Sequence, residues 1–581
     1  MPAGLQMSGT TEDEKFSTLP APLGESMGVK IARWIRSHPL LLVILGNCLF
    51  SWGIWNCWVG YGEDTGPIAT ALANAPHLAV SRSLFVDLYT MIFAWITSDP
   101  LVGFNVMRFL VSFETSVGLF LVLSRFVPAL KVEAVLVASL VWIASRLNAP
   151  AHLFTNISSF TFGLMLFGIY FLFSKRRFLG LAGFLVFSLA AISQRPEWLA
   201  PFLLISLLLV GEAVWKVTKG TVALDRRVQF RRAALAFTVG LTLLGALLMG
   251  LTKVRSVIGR GDDYLLFGLG QCYASFYKAE HPEQAFDPMT EYQWLLDKTF
   301  GKPRSFLQAI RNNPSEAVRY FRINTLNNLR RIPEELLSTR SGRTAPLLSR
   351  PHSILLFGVL IAGPLCAVFR LRHRPATGEA ESREPTYQIV RKVIVLAMLC
   401  SGASVAIVML VGSPRYWIST VPILYLGIAW CCDALMRSVR ATWFDLFMVL
   451  SSFVFFCRPN FLDQQGGNVE VKVLRRFEAL VKADPVIGAI WADPFVVYAF
   501  RGKAKGVSAS EGIKAEDVTA GRYDILIINR PFRASKTWAD QQVFFEHFES
   551  NPEQYGFRKY EYGENKIRAN AIYYRPLAGV R

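Results

Sequence analysis

Long apolar runs separated by short polar gaps dominate residues 38–457. A helix rises about 1.5 Å per residue, so roughly 20 apolar residues cross a hydrocarbon layer about 30 Å thick. On that ruler the runs at 39–59, 103–124, 129–146, 157–174, 178–193, 198–215, 233–252, 353–369, 392–411, 417–435 and 442–457 predict about eleven spans. Three segments interrupt the pattern. Segment 60–100 carries "SLFVDLYTMIFAWI", which is apolar but too short to cross and reads as interfacial or re-entrant. Segment 253–351 is polar, with a helical stretch at "PSEAVRYFRINTLNNLRRIPEELL". Residues 468–581 read as a small α/β unit: "PVIGAIWAD", "YDILIINR" and "ANAIYYRP" predict buried strands, and "PFVVYAFRG" a helix between the first two.

Composition supports a polytopic membrane protein. Apolar residues make up 52% of the chain and charged residues 18%, against about a quarter charged in soluble proteins. Mean hydropathy is +0.33. The net charge of +19 sits largely in short gaps: Lys175-Arg176-Arg177, Lys216 to Arg232, Arg370 to Arg374, Arg437 and Arg440. Short basic loops mark the cytoplasmic side. No basic motif is interleaved with aromatics, so nucleic acid is not an expected partner.

This assignment puts residues 1–37, which end in Lys30, Arg33 and Arg36, in the cytoplasm as a polar tail before a retained first span. An odd number of spans then places segments 60–100 and 253–351 and the unit 468–581 outside. No glycine-rich loop opens a helix in that unit, so no nucleotide site is expected there. The eight cysteines show no metal-ligand spacing and read as small apolar fillers. An outer Cys57–Cys272 disulfide is left open.

The candidate chemistry lies at the predicted outer ends of the spans. Glu63 and Asp64 follow span 1, where a carboxylate can take a proton from an attacking hydroxyl or hold a metal; equally, "EDTGP" can cap an interfacial helix. "SQRPEW" puts Arg195 and Glu197 in a tight turn, either as a phosphate-facing guanidinium or as a loop ion pair beside an interfacial Trp198 anchor. "GSPRYW" sets Arg415 and Tyr416 at the mouth of a late span, where an arginine faces a cavity or snorkels. Arg108 and Glu114 in span 2 predict an ion pair inside the bundle, and intramembrane charges are functional candidates. His152, in the loop after span 3, Glu197, and Asp262 and Asp263, in "GRGDDYLLFG", are further candidates for substrate contact. The alternatives for the two aspartates are a metal site and a solvated turn. "NIS" at 156–158 abuts a span and reads as a chance glycosylation match.

The order of these features resembles the GT-C superfamily of membrane glycosyltransferases, in particular the lipid A aminoarabinose transferases and protein O-mannosyltransferases. The matching residues are Glu63-Asp64, "LFVDLYTMIFAWITSDPLVGFNVMRFLVSFETSVGLFLVLSRFV", "AAISQRPEWLAPFLLISLLL" and "SPRYWISTVPILYLGIAW", covering about 60–215 and 410–435. The resemblance implies a GT-C-like helical fold with an outer α/β domain, in a bacterial inner membrane. It implies transfer of a sugar from a polyprenyl-phosphate-linked donor to a glycolipid, polysaccharide or protein acceptor, with inversion. Asp64, or else Glu63, would be the base, and Arg195, Arg415 and Tyr416 would contact the donor phosphate. Many members need no metal; a divalent ion, Mg or Mn, is left open. Members of the family often carry a second acidic residue after span 3, where this chain reads "RLNAPAHLFTNISS". Either His152 or Asn156 replaces it, or Asp262-Asp263 supplies it, or the activity is lost. A transporter or flippase of a lipid-linked envelope precursor is the alternative, although the halves show no repeat of the kind transporters use. A non-catalytic envelope scaffold is the third reading.

Overall fold

Prolines open several of the helices, at Pro39, Pro100 and Pro314. In the computed structural model, the described residues are 27–52, 100–126, 130–145, 148, 153–174, 176–218, 261–284, 292–337, 361–363, 365, 386–403, 408, 417–457, 469–490, 492–500, 503–509, 512–533, 535–562 and 570–577. Helix α1 (Met27–Ser37) meets α2 (Pro39–Trp52) at an angle of 87°. Pro39 suits the first position of a helix and pushes His38 away from helical backbone, which explains the break. Helix α3 (Pro100–Phe126) stops before Pro128 for the same reason.

The bundle continues with α4 (Val132–Ile143), α5 (Leu153–Leu172), α6 (Arg177–Gln194) and α7 (Leu199–Thr218). It is completed by α12 (Thr386–Leu399), α13 (Val421–Val439) and α14 (Thr442–Phe456). Val106–Arg125 and Ile418–Val439 are long and apolar enough to cross a membrane, and α1 with α2 makes a third candidate if the bent pair is one span. Shorter apolar helices lie at Val132–Ile143, Ile157–Leu172, Leu179–Gln194, Leu199–Glu212 and Thr442–Phe456. The span expected at 233–252 lies outside the described residues, as does most of the one at 353–369. At 12 residues, or about 18 Å, α4 is too short to cross alone. It is buried along its length and forms the hub of the core with α2, α3, α13 and α14.

Lipid tails are as apolar as leucine, so close packing rather than water exclusion must hold such a bundle. Two glycines show how close it is. A Cβ on Gly46 of α2 would come 2.7 Å from Cys457 Sγ, and one on Gly163 of α5 would come 2.7 Å from the Glu114 carboxyl of α3.

Charges collect at one end of the bundle. Lys131 Nζ lies 2.7 Å from Asp445, and its backbone N–H donates to Asp433, which also holds Arg437. Arg36 pairs with Glu133 and lies 3.8 Å from Asp445. A few residues away, Lys392 donates to the Arg125 carbonyl, Arg125 donates to the Phe173 carbonyl, and Arg391 pairs with Glu212. Arg36, Arg125, Lys131, Arg391, Lys392 and Arg437, all at helix ends assigned to the cytoplasm by the charge rule, are thus partnered among the described residues.

A second helical unit comprises α8 (Gly261–Glu280), α9 (Tyr292–Phe300), α10 (Phe306–Asn312) and α11 (Pro314–Leu337) around Tyr273, Phe300 and Tyr320. The predicted stretch "PSEAVRYFRINTLNNLRRIPEELL" is α11 over its full length. Burial raises the pKa of both Tyr273 and Tyr320. The unit touches the bundle where Asn324 donates to the Val408 carbonyl.

The C-terminal unit opens with α15 (Val469–Phe477) and is built on a five-stranded sheet ordered β2-β1-β3-β5-β4. The strands are β1 (Val486–Ala489), β2 (Lys505–Ser508), β3 (Ile525–Ile528), β4 (Arg558–Tyr562) and β5 (Asn570–Tyr574), with α16 (Ala492–Phe500) crossing from β1 to β2. β1 is parallel to β2 and β3; β5 is antiparallel to β3 and β4. Along β3, Ile525 and Ile527 enter one core with Phe477 and Phe495, and Leu526 and Ile528 enter the other with Phe545 and Phe548. Burial on both faces explains the unbroken apolar run in the sequence. The first of these cores continues into Met107 of α3 and Ile157 of α5. The sheet unit therefore docks on the bundle at the end opposite the charged cluster.

Candidate functional site

The end of the bundle that carries the sheet unit is polar inside. Ser112 of α3 donates to Asn47 of α2 at 2.7 Å, and Asn148 Nδ2 donates to Ser112 at 2.8 Å. Thr115 donates to Asn148 Oδ1 at 2.9 Å, and Trp142 Nε1 donates to Thr115 at 3.3 Å. Asn47, Ser112, Thr115 and Asn148 are fully buried. A buried amide left unpaired costs about 1–3 kcal/mol, so a connected network of this kind fixes helix register. Asn148 was missed by sequence reasoning, which singled out His152 and Asn156 in the same stretch.

Arg195 stands at the edge of this region, and local sequence sets its backbone. It caps α6 immediately before Pro196, and a residue in that position is driven to extended conformations; Arg195 has φ −141° and ψ 100°. One of its terminal nitrogens lies 3.5 Å from Glu197 Oε1, so the expected loop ion pair is present. Trp198 corrects an expectation. It is no interfacial anchor but is buried at 2% exposure, donating from Nε1 to Thr161 at 2.9 Å and stacking on Phe162. Phe162 in turn packs on Trp142, and Trp142 on Tyr425. This row of rings ties the Arg195 turn to α5, α4 and α13.

Arg108 is buried near the start of α3 at 1% exposure. The expected ion pair with Glu114 does not form among the described residues. Positions six apart lie about 240° around and about 9 Å along a helix, so they cannot meet. Glu114 instead lies against Gly163, where the missing side chain makes room for its carboxyl.

The remaining candidates divide into two groups. Asp262 and Asp263 fall in the first turn of α8. Glu63, Asp64, His152, Arg415 and Tyr416 lie outside the described residues, as does Cys57. The described residues nearest to them are Trp52 at the end of α2, Asn148 and Leu153 between α4 and α5, and Trp417 before α13. Of these, Asn148 lies in the polar network, and the turn Ile418–Thr420, which follows Trp417, packs against α5. No group of three or more His, Cys, Asp or Glu side chains suited to a metal occurs among the described residues.

No family model matches the chain, and no curated protein matches it. Two solved structures are similar in outline, both crystal structures of ArnT from Cupriavidus metallidurans. The one bound to undecaprenyl phosphate covers 93% of this chain and 98% of its own, at 11% identity and a TM-score of 0.47. The apo structure covers 94% of this chain and 98% of its own, at 11% identity and a TM-score of 0.40. At that identity and score the likeness is one of outline, and no residue role passes from those chains to this one.

Proposed function

We propose that this chain is a GT-C-type glycosyltransferase that moves a sugar from a polyprenyl-phosphate-linked donor to an acceptor outside the cytoplasm. The observation that carries the reading is one of placement. Among the described residues, Arg195 is tied through Trp198, Phe162 and Trp142 to the buried network of Asn148, Thr115 and Ser112, and both adjoin in the chain the motifs whose order resembles that family.

The chemistry follows from the residue types. The Asp64 carboxylate, with Glu63 as the alternate, takes the proton from the acceptor hydroxyl as its oxygen attacks the anomeric carbon. The bond from that carbon to the phosphate oxygen breaks, and the polyprenyl phosphate leaves with the electron pair. Attack opposite the leaving group inverts the centre. Arg195 and Arg415 stabilise the charge that grows on the leaving phosphate, and Tyr416 donates a hydrogen bond to it; removing one such donor typically costs about 100- to 1,000-fold in rate. Glu197 orients Arg195. His152, Asp262 and Asp263 are assigned to the acceptor side, where one of them takes the part of the second acidic residue that the loop after α4 lacks. A divalent ion, if bound, would be held by the carboxylates at 63 and 64 and would polarise the phosphate.

The test is transfer from membranes containing radiolabelled polyprenyl-phosphate sugars, comparing wild type with Asp64→Asn and Arg195→Ala. Wild-type transfer is expected, with a loss of at least about 100-fold in each variant at unchanged thermal stability. Transfer that survives Asp64→Asn moves the base to Glu63. Absence of transfer from every lipid-linked donor, with label moving across the bilayer instead, would replace the enzyme by a transporter.

A further inference from the structure

Taken as the inner part of the span expected over 39–59, α2 sets α1, which meets it at 87°, in the plane of the bilayer. The crossing direction of α2 is marked by Leu41, Leu45 and Leu49, which are spaced four residues apart and exposed along one stripe. Helix α1 therefore runs along the surface at the basic end, and its faces are divided accordingly. Ala32 and Ile35 are buried against the bundle, while Lys30 and Arg33 are exposed on the other side. Met27 and Trp34 are exposed on the flank between them, at 74% and 43%. Arg36 in the last turn fastens the helix to Glu133 and Asp445. Helix α14, which packs on α1, exposes Trp443 at the same end, and Arg440 is exposed just before it. Tryptophans at headgroup level with lysine and arginine beside them are the chemistry of an interfacial anchor.

We infer that α1, fastened through Arg36, is an in-plane docking surface for anionic phospholipid headgroups, with Lys30 and Arg33 facing the phosphates and Met27 and Trp34 entering the acyl boundary. Charge complementarity selects this occupant. The helix carries three cations and no anion, and a basic residue close to an anionic membrane gains about five-fold in binding.

The test uses the full-length protein equilibrated with equal phosphatidylglycerol and phosphatidylcholine at low salt, with retained lipids counted by native mass spectrometry. Wild type is expected to keep phosphatidylglycerol over phosphatidylcholine by about 25-fold, about five-fold for each of Lys30 and Arg33. Lys30→Gln/Arg33→Gln is expected to lose about five-fold per charge removed while melting at the wild-type temperature in phosphatidylcholine. Raising salt from 0.1 to 1 M shortens the screening length from about 10 to about 3 Å and should erase the preference without any substitution. Equal retention of both lipids by wild type would overturn the proposal. A preference unchanged in the double variant would also do so, by assigning the lipid to other basic residues at that end.

Discussion

Gly163 and Glu114 form a pair that neither residue announces. A methyl group on Gly163 would stand 2.7 Å from the Glu114 carboxyl carbon and from one of its oxygens. Gly163→Ala should therefore destabilise the bundle by about 1–3 kcal/mol, the usual cost of overpacking. Glu114→Ala in the same chain should restore most of that loss, as read by thermal unfolding in detergent. The same scale explains why Trp198 was misread. Tryptophan suits both a headgroup layer and a buried hydrogen bond, and what decides between them is Thr161, 37 residues away. Arg195 and Glu197 were legible because both partners lie in one tight turn. Arg108 and Glu114 were misassigned because two opposite charges on one helix attract the eye even when the helical repeat separates them.

Elements were legible in proportion to their burial. β1, β3 and β5 announce themselves through apolar runs because they lie inside the sheet. β2 and β4 are its two edges, and they read "KGVS" and "RKYEY", too polar to stand out. Polar and charged residues are what natural edge strands use to discourage pairing with other chains. At the basic end the pattern reverses, since the charges were read as a topological signal and their mutual pairing was not read at all. Lys131→Met alone strips a buried carboxylate of its partner and should cost about 3–5 kcal/mol. Lys131→Met/Asp445→Leu should cost far less, because an apolar pair replaces a buried ion pair at little penalty. A double-mutant cycle on thermal unfolding separates the two outcomes.

Across the whole molecule, the sheet unit and the charged cluster occupy opposite ends of the bundle. The sheet's first core passes without a break into Met107 and Ile157, so the unit is seated on the bundle by side chains. Met107→Glu would put a charge into that seam. The expected result is faster proteolytic release of the C-terminal unit, with the isolated bundle helices as resistant as before. How the sheet unit seats on the bundle was not legible, because methionine and isoleucine near the mouth of a span read as lipid-facing until a partner surface is known.

The ion pair between Lys131 and Asp445 closes a sequence separation of 314 residues. A ribosome adding about 5–20 residues each second needs roughly 15 to 60 s to travel that far. For that interval the Lys131 end of α4 lacks the two carboxylates, Asp433 and Asp445, that hold it in the finished bundle. Completion of the bundle is thus timed by the emergence of its last helices. A chain truncated before α13 would present an unneutralised charge at the hub, the kind of defect by which a membrane protease tells unfinished molecules from finished ones.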